Sequence, residues 1–262
     1  MTHYLAFTAR PLVSALFATM LLVPAAASAQ DVATVEVLPG WATPQGTHMA
    51  ALRLTLAPGW KTYWRAPGDA GIPPQITVTG GGVQSVTFHW PTPEVFDQNG
   101  MRSIGYHDSL TLPIEVTGSG DMRLTGTLDI GVCLDICVPA QLTFDAPLTN
   151  GGRDPVIVGA LLNQPQTTGI ATCRVTPSAY GLHLDATLTL PATGIAEALV
   201  IEAGDPHVWV SEPVISRSGN ILTAQAKMVH GAGDAFAFNR SAMRFTLLGS
   251  DRAVEVQGCT AS

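Results

Sequence analysis

Two of the four cysteines, Cys133 and Cys137, lie close together in the stretch GVCLDICVPA. Two thiols at this spacing can form a local disulfide, exchange electrons with other thiols, or ligate a soft metal ion. An extended strand would separate their Cα atoms by about 13 Å, whereas a disulfide requires about 4.4–6.8 Å. The spacing therefore predicts a three-residue hairpin loop, residues 134–136, with the cysteines opposite each other at about 4.5–5.5 Å.

A disulfide at this position would add little to stability. It closes a loop of about five residues, for which loop entropy predicts roughly 2 kcal/mol. Leu134 and Ile136 are not typical turn residues, so we expect some strain, and a strained, exposed disulfide is easier to reduce. Pro139 lacks a backbone donor and indicates a sheet edge, which would leave the pair accessible. The residues favour redox activity but leave a passive local bond and metal ligation open.

The other two cysteines, Cys173 and Cys259, are predicted to pair because this keeps each disulfide within one half of the chain. The bond would enclose about 87 residues and contribute roughly 4–5 kcal/mol, so we expect a structural role. The sequence lacks the cysteine spacings of thioredoxin motifs, haem attachment and zinc sites, and predicts no cofactor and no metal centre. Two thiolates with Met101 or His107 could still hold Cu(I).

The N-terminus has the pattern of an exported protein. Arg10 precedes the apolar run LVSALFATMLLV, and AAASAQ supplies a small-x-small cleavage site. The run of 12 apolar residues is too short to span a bilayer, so residues 1–29 are predicted to be a cleaved signal peptide. We expect the remaining chain to reside in the bacterial periplasm, where disulfides persist, and not to span the membrane.

The composition is that of a globular protein with a substantial core. Hydrophobic residues make up 46% of the chain and charged residues 13%, with a formal net charge of −7. There is no basic patch along the sequence. Nucleic acid and anionic membrane surfaces are therefore poor candidates as partners.

Strand patterns dominate the chain beyond the signal peptide. In the first half, the predicted strands are residues 32–38, 48–57, 61–65, 75–80, 83–90, 110–116, 122–133 and 141–148. Short strands separated by Gly, Pro, Asn and Asp predict an all-β protein of antiparallel sandwiches. The break TNGGRDP precedes a short predicted helix, DPVIVGALLNQ, with Asp154 as its N-cap. We therefore predict two β-sandwich domains, residues 30–152 and 153–262.

Three segments of the first half resemble the N-terminal periplasmic domain of the thiol:disulfide interchange protein DsbD, and more closely the same region of ScsB-type proteins. They are LAPGWKTYWRAPGDAGIPPQ, WPTPEVFDQNGMRSIGYHDSLTLPIEV and GVCLDICVPAQLTF. The resemblance implies immunoglobulin-like sandwiches and protein-disulfide reductase activity. In this family, the cysteine pair takes electrons from a membrane-embedded relay through a thioredoxin-like partner. It passes them to oxidised periplasmic thiol proteins.

The resemblance also implies a role for each cysteine. In the family, the second cysteine forms the mixed disulfides and the first resolves them, which assigns these roles to Cys137 and Cys133 respectively. Because the chain ends at Ser262 without a relay segment, we expect the electron donor to be a separate thiol protein, thioredoxin-like or membrane-embedded.

A cap loop shields the cysteine pair in the family, and the segment from Phe96 to Tyr106 lies at the corresponding position. Phe96 is the candidate cap residue and Met101 the second choice. Tyr63 and Trp64 belong to a family-like motif and, together with Tyr106, are candidates to line the site. Aromatic residues in sandwich strands are more often part of the core, so both interpretations stay open for Tyr63 and Trp64.

Two other functions remain possible from the sequence. The chain could be a non-catalytic module that binds another envelope protein, with a purely structural Cys133–Cys137 bond. It could also handle Cu(I), since ScsB-type systems are linked with copper stress. A reductase requires a readily reduced pair, a binding module a resistant one, and a copper protein metal binding that depends on Cys137.

Overall fold

The computed structural model describes residues 32–98 and 100–262, so the predicted signal peptide, residues 1–29, lies outside the described part. The first half of this part forms ten strands: β1 (Ala33–Ala42), β2 (His48–Leu56), β3 (Lys61–Tyr63), β4 (Gln75–Thr79), β5 (Val83–Phe88), β6 (Glu94–Gln98), β7 (Met101–His107), β8 (Ser109–Gly118), β9 (Arg123–Cys133) and β10 (Cys137–Pro147).

These strands form two antiparallel sheets, which together are called the N-terminal sandwich here. Sheet A has the order β1-β2-β8-β5, and sheet B has the order β10-β9-β3-β7-β6, with β4 paired to a further part of β9. Leu52 and Ile114 of sheet A pack against Leu124 and Phe144 of sheet B in one buried cluster. Two sheets joined through such inner faces make a β-sandwich.

Period-two alternation explains why these segments form sandwich strands. Along β9, the side chains of Leu124, Leu128 and Ile130 are buried between the sheets. Residues two apart on a strand lie on the same face, so this apolar set turns inward together. The predicted strand 122–133 is thus observed with its apolar residues on the inner face.

The second half repeats this architecture with strands β11 (Gln166–Thr167), β12 (Ile170–Ser178), β13 (Gly181–Thr189), β14 (Ala198–Glu202), β15 (Val208–Val210), β16 (Val214–Ser218), β17 (Ile221–His230), β18 (Arg244–Leu248), β19 (Ala253–Gln257) and β20 (Thr260–Ala261). Sheet C has the order β11-β19-β18-β14, and sheet D has β15-β17-β13-β12-β20, with β16 paired to β17. Leu188, Leu222, Phe245 and Val254 share its core, and we call this half the C-terminal sandwich. The predicted all-β fold with two immunoglobulin-like sandwiches is confirmed.

Helix α1 (Pro155–Leu162) connects the two sandwiches. Asp154 caps it, with its side chain accepting a hydrogen bond from the Val156 backbone at 2.8 Å. Ile157 packs with Met49 and Ala51 of sheet A, so the helix rests on the N-terminal sandwich. The domain boundary near residue 152 stays a prediction, and this packing favours a position after the helix. No helix within the described residues has the length and apolar character needed to cross a bilayer.

The two sandwiches share part of their apolar core. Trp64 and Ile104 of the N-terminal sandwich belong to the same buried cluster as Ala198, Val200 and Leu248 of the C-terminal sandwich. Apolar side chains buried at such a junction oppose independent motion of the two parts. The C-terminal sandwich therefore lies directly against Trp64, the residue that follows β3.

The disulfide between Cys173 and Cys259 joins β12 to the segment between β19 and β20, so Cys259 lies between strands and not on the last one. Because the two cysteines are 86 positions apart, we expect the double substitution Cys173→Ala/Cys259→Ala to lower the free energy of unfolding by about 2–5 kcal/mol in urea titrations. Cys133→Ala/Cys137→Ala is the matched control and should cost roughly 2 kcal/mol or less. Equal losses in the two variants would contradict a structural role for the longer bridge.

Candidate functional site

The hairpin that joins β9 to β10 carries the cysteine pair. Cys133 ends β9, Cys137 begins β10, and the two residues are direct cross-strand partners. They are disulfide-bonded with a Cα–Cα distance of 4.1 Å, slightly less than the sequence prediction. The Leu134 backbone N–H donates to the Ile136 carbonyl at 3.2 Å and closes the three-residue loop. None of these three loop residues has a positive φ, so the expected backbone strain is not found there.

The two cysteines differ strongly in exposure. Cys133 is 1% exposed, whereas Cys137 is exposed on β10, the edge strand of sheet B. Pro139 lies on the same edge strand, as its missing donor predicts. Ile136, at the hairpin tip, is 72% exposed. An approaching thiolate can therefore reach the sulfur of Cys137, while Cys133 lies beneath the surface.

Tyr63 places its hydroxyl group on both sulfur atoms. The hydroxyl oxygen lies 3.0 Å from Sγ of Cys133 and 3.2 Å from Sγ of Cys137. A disulfide sulfur carries no hydrogen, so the hydroxyl donates in this state. Burial raises the pKa of Tyr63, which keeps the hydroxyl protonated. The same donor can stabilise a thiolate when the pair is reduced, because hydrogen bonds to charged acceptors are stronger.

The pairing of β3 with β9 explains how Tyr63 reaches the sulfurs. Lys61 is the cross-strand partner of Cys133, so their side chains lie on the same face of sheet B. Tyr63 follows two positions later and therefore shares that face. Trp64 and Thr62 point to the other face, where Trp64 is fully buried in the core.

A segment after β3, residues 65–74, covers this face of the sheet, and we call it the cover segment. A methyl group placed on Gly131 would lie 2.9 Å from Cδ1 of Ile72 and 3.1 Å from Cε2 of Tyr63. One placed on Gly71 would lie 2.9 Å from Cδ1 of Tyr63. The two distances of 2.9 Å are shorter than a real Cβ atom shows. Glycine at positions 71 and 131 therefore lets the cover segment pack onto Tyr63 and β9.

A second group on the same face was missed by the sequence reasoning. The Lys61 ammonium lies 5.0 Å from the ring centroid of Phe96, and the Phe96 ring packs edge-on against His107 at 4.4 Å. The Glu94 carboxylate accepts a hydrogen bond from Nδ1 of His107 at 3.0 Å. Desolvation by burial lowers the pKa of Lys61. Its position two residues before Tyr63 in KTYWR was the available signal, because alternation places both on one face.

The predicted cap residues lie on strands beyond β3. The backbone of β6, which carries Phe96, is about three strand spacings, or about 14 Å, from that of β9, but the Phe96 ring contacts Lys61, the cross-strand partner of Cys133. Met101 is 57% exposed at the start of β7. The cap role of these residues stays a prediction, and the cover segment packs on Tyr63 and Gly131. Asn99-Gly100 in the sequence was an overlooked hairpin signal for the strands that flank it.

Two of the predicted lining residues belong to the core instead. Trp64 packs with Ile104 and Val200, and the Tyr106 hydroxyl donates to the Pro91 carbonyl at 2.8 Å. Strand alternation sends both rings away from the face that holds Cys133. Their expected position at the site is therefore not seen, whereas Tyr63 contacts both sulfurs.

The surroundings of the cysteine pair bear on the possibility that it binds a metal ion. Within residues 32–98 and 100–262, no group of three or more His, Cys, Asp or Glu side chains is arranged to hold a metal ion. His107, considered above as a Cu(I) ligand, instead uses Nδ1 to bond Glu94. The two sulfurs are bonded to each other.

Fold and site together define a two-sandwich protein that presents a disulfide at a hairpin tip. Residues 29–149 match the family described as thiol:disulfide interchange protein DsbD, N-terminal. This match supports a DsbD-like thiol–disulfide exchange module in that part of the chain.

The crystal structure of the N-terminal periplasmic domain of ScsB from Proteus mirabilis is similar to both halves of the chain. The match has a TM-score of 0.64 and 23% sequence identity, and it covers 88% of this chain and 92% of that chain. At this identity, the likeness shows a shared two-sandwich fold. No curated protein sequence matches the chain.

Tyr63→Phe removes the hydroxyl donor and retains the ring. If the hydroxyl stabilises the thiolate of the reduced pair by about 1.5–3 kcal/mol, its loss makes the reduction potential roughly 30–60 mV more negative. The potential is measured by thiol trapping in graded dithiothreitol buffers. Tyr180→Phe, at a tyrosine that is 85% exposed, serves as the matched control. An unchanged potential in Tyr63→Phe would show that the hydroxyl does not act on the reduced pair.

Proposed function

We propose that the protein is a periplasmic protein-disulfide reductase that passes reducing equivalents to oxidised thiol proteins through Cys133 and Cys137. The observation that carries this proposal is the asymmetric pair: an exposed Cys137 bonded to a buried Cys133, with the Tyr63 hydroxyl on both sulfurs. A purely structural bond over so short a loop would contribute little to stability. The match of residues 29–149 to the DsbD N-terminal family supports the same chemistry.

The reaction is a two-step thiol–disulfide exchange. In the reduced protein, the Cys137 thiolate attacks one sulfur of the partner's disulfide, and the partner's other sulfur leaves as a thiolate and takes up a proton. The Cys133 thiolate then attacks Sγ of Cys137, which breaks the mixed disulfide and releases the second partner thiol. Two electrons and two protons have moved to the partner, and the Cys133–Cys137 bond is restored.

The difference in exposure between the two cysteines supports this order of steps. Only Cys137 is exposed to a partner, so the intermolecular bond forms there. Cys133 lies behind it as the cross-strand neighbour, at a distance that permits attack without moving the sheet. The Tyr63 hydroxyl can donate to whichever sulfur carries negative charge, since it lies within 3.0 and 3.2 Å of the two.

The surroundings of Cys137 fit protein partners. Leu134 and Ile136 are exposed apolar residues on either side of Asp135 at the hairpin tip. Exposed apolar side chains beside a reactive sulfur favour burial against another protein. We propose a thioredoxin-like or membrane-embedded thiol protein as electron donor and oxidised periplasmic thiol proteins as acceptors.

The location and the domain roles belong to the same proposal. Residues 1–29 act as the signal peptide, and the two predicted domains, residues 30–152 and 153–262, follow, with helix α1 packed on the first. The first domain contains the exchange pair. In the second, the buried Cys173–Cys259 bond acts as a structural bridge.

The proposal predicts that Cys133→Ala accumulates a mixed disulfide, because the resolving thiolate is absent. The variant is incubated with a periplasmic extract or an oxidised thioredoxin-fold protein, and the adduct is mapped by mass spectrometry to Cys137. Cys137→Ala is the matched control and should trap little, since Cys133 is buried.

The reduction potential of the wild-type pair distinguishes the reductase from the main alternative, a non-catalytic binding module. We expect a value of about −180 to −270 mV, the range of known exchange proteins. A value below about −300 mV, together with no trapped adduct, would identify a structural bond and favour a non-catalytic binding module.

A further inference from the structure

Arg65 links the redox site to the C-terminal sandwich. It follows Tyr63 by two positions and begins the cover segment. Its Nε and Nη2 atoms each donate to Glu202 at 3.0 Å, and Nη2 also donates to Glu255 at 2.7 Å. Glu202 lies on β14 and Glu255 on β19, so both acceptors belong to the other sandwich.

This ion-pair group is sheltered from solvent. The side chains of Arg65, Glu202 and Glu255 are all less than a quarter exposed, at 16%, 22% and 19%. The guanidinium also stacks on the Trp64 ring, with 4.1 Å between Cζ and the ring centroid. Partly buried, bidentate pairs are screened less than surface pairs and hold a defined geometry. Arg65 is therefore fixed on one side by the core and on the other by two carboxylates.

A second ion pair links β7, the strand beside the cover segment, to the C-terminal sandwich. Arg102, on β7, pairs with Glu212 at 2.7 Å. The cover segment runs beside β7, where the Ile104 backbone donates to the Pro67 carbonyl at 2.9 Å. The start of the cover segment and the strand beside it are thus both attached to the C-terminal sandwich.

We propose that the C-terminal sandwich is the scaffold of the redox site, with Arg65 as the positioning residue that transmits its effect. Glu202 and Glu255 hold Arg65, and Arg65 holds the cover segment over Tyr63 and β9. This keeps the Tyr63 hydroxyl on the sulfurs and keeps Cys133 covered, so that exchange begins at Cys137. The inference rests on the proposed function and gives the second sandwich a part in it.

The physical consequence of releasing Arg65 follows from the packing. Ile72 and Tyr63 lie against Gly131, two residues before Cys133 on the same face. A loosened cover segment would free the Tyr63 ring and open a path to the buried sulfur. Small thiols would then attack either cysteine, and the Cys137 thiolate would lose its hydrogen-bond donor.

The test uses the full chain and two small reagents. Oxidised protein is treated with glutathione, quenched with N-ethylmaleimide, and the adducts at Cys133 and Cys137 are quantified by mass spectrometry. The reduced protein is alkylated with iodoacetamide across a pH series to obtain the apparent pKa of Cys137. The variants are Arg65→Gln, Arg65→Lys, the double variant Glu202→Gln/Glu255→Gln, and Tyr63→Phe as the reference for a lost hydroxyl.

We expect Arg65→Gln to raise the share of adduct at Cys133 at least threefold and to raise the alkylation pKa in the same direction as we expect for Tyr63→Phe. The Glu202→Gln/Glu255→Gln variant should reproduce both changes from the other sandwich, and Arg65→Lys should fall in between. Arg123→Gln is the matched control, because it removes an exposed ion pair with Asp145 from β9 and β10, and it should behave as the wild type.

Wild-type adduct distribution and wild-type alkylation profile in both the Arg65→Gln and the double glutamate variant would overturn the inference. So would equal changes in Arg123→Gln, which would indicate general loosening. If Arg65→Gln fails to fold, the double glutamate variant decides, since it retains the packing of Arg65 on Trp64. Both readouts use small reagents and need no protein partner, so absent mixed disulfides in Cys133→Ala would count only against the proposed function.

Discussion

The register between β3 and β9 is the constraint on which the site depends. Because Lys61 pairs with Cys133, strand alternation places Tyr63 on the face of the sulfurs and Trp64 in the core. A shift of one residue would exchange these two rings and leave the disulfide without its hydroxyl. The buried Trp64 makes such a shift costly, since its apolar surface would enter water. Core packing therefore fixes the geometry of the chemistry on the opposite face.

The sandwich also creates the difference between the two cysteines. β9 is an inner strand of sheet B, paired with β3 and β4 along one edge and with β10 along the other. β10 is the edge strand of the sheet. The tight hairpin between these two strands therefore joins a buried cysteine, Cys133, to an exposed one, Cys137. The exposed edge strand β10 carries Pro139, which has no backbone N–H to donate to an added strand.

Local spacing between two predicted strands was sufficient to predict the hairpin, because a three-residue bend there brings Cys133 and Cys137 to bonding distance. The helix start at Asp154 also followed from a local pattern. The neighbours of the sulfurs did not, since Tyr63, Ile72 and Lys61 meet the pair only through long-range strand pairing. The KTYWR motif contains three aromatic or basic candidates in a row, and only the register decides which one reaches the cysteines. The same register explains why Tyr106 does not reach the cysteines. Its cross-strand partner is Thr62, so its side chain faces inward.

The junction explains why a small sandwich would benefit from a second one. An immunoglobulin-like sheet has no deep cleft in which to hold a reactive disulfide, so a segment outside the regular strands must cover it. Residues 65–74 contain several Gly and Pro residues and have few regular hydrogen bonds of their own. Such a segment is ordered by contacts at its ends, and Arg65 provides one through Glu202 and Glu255. A covering segment anchored in a neighbouring sandwich is held in place at Arg65 and can still move near Ile72, which is exposed.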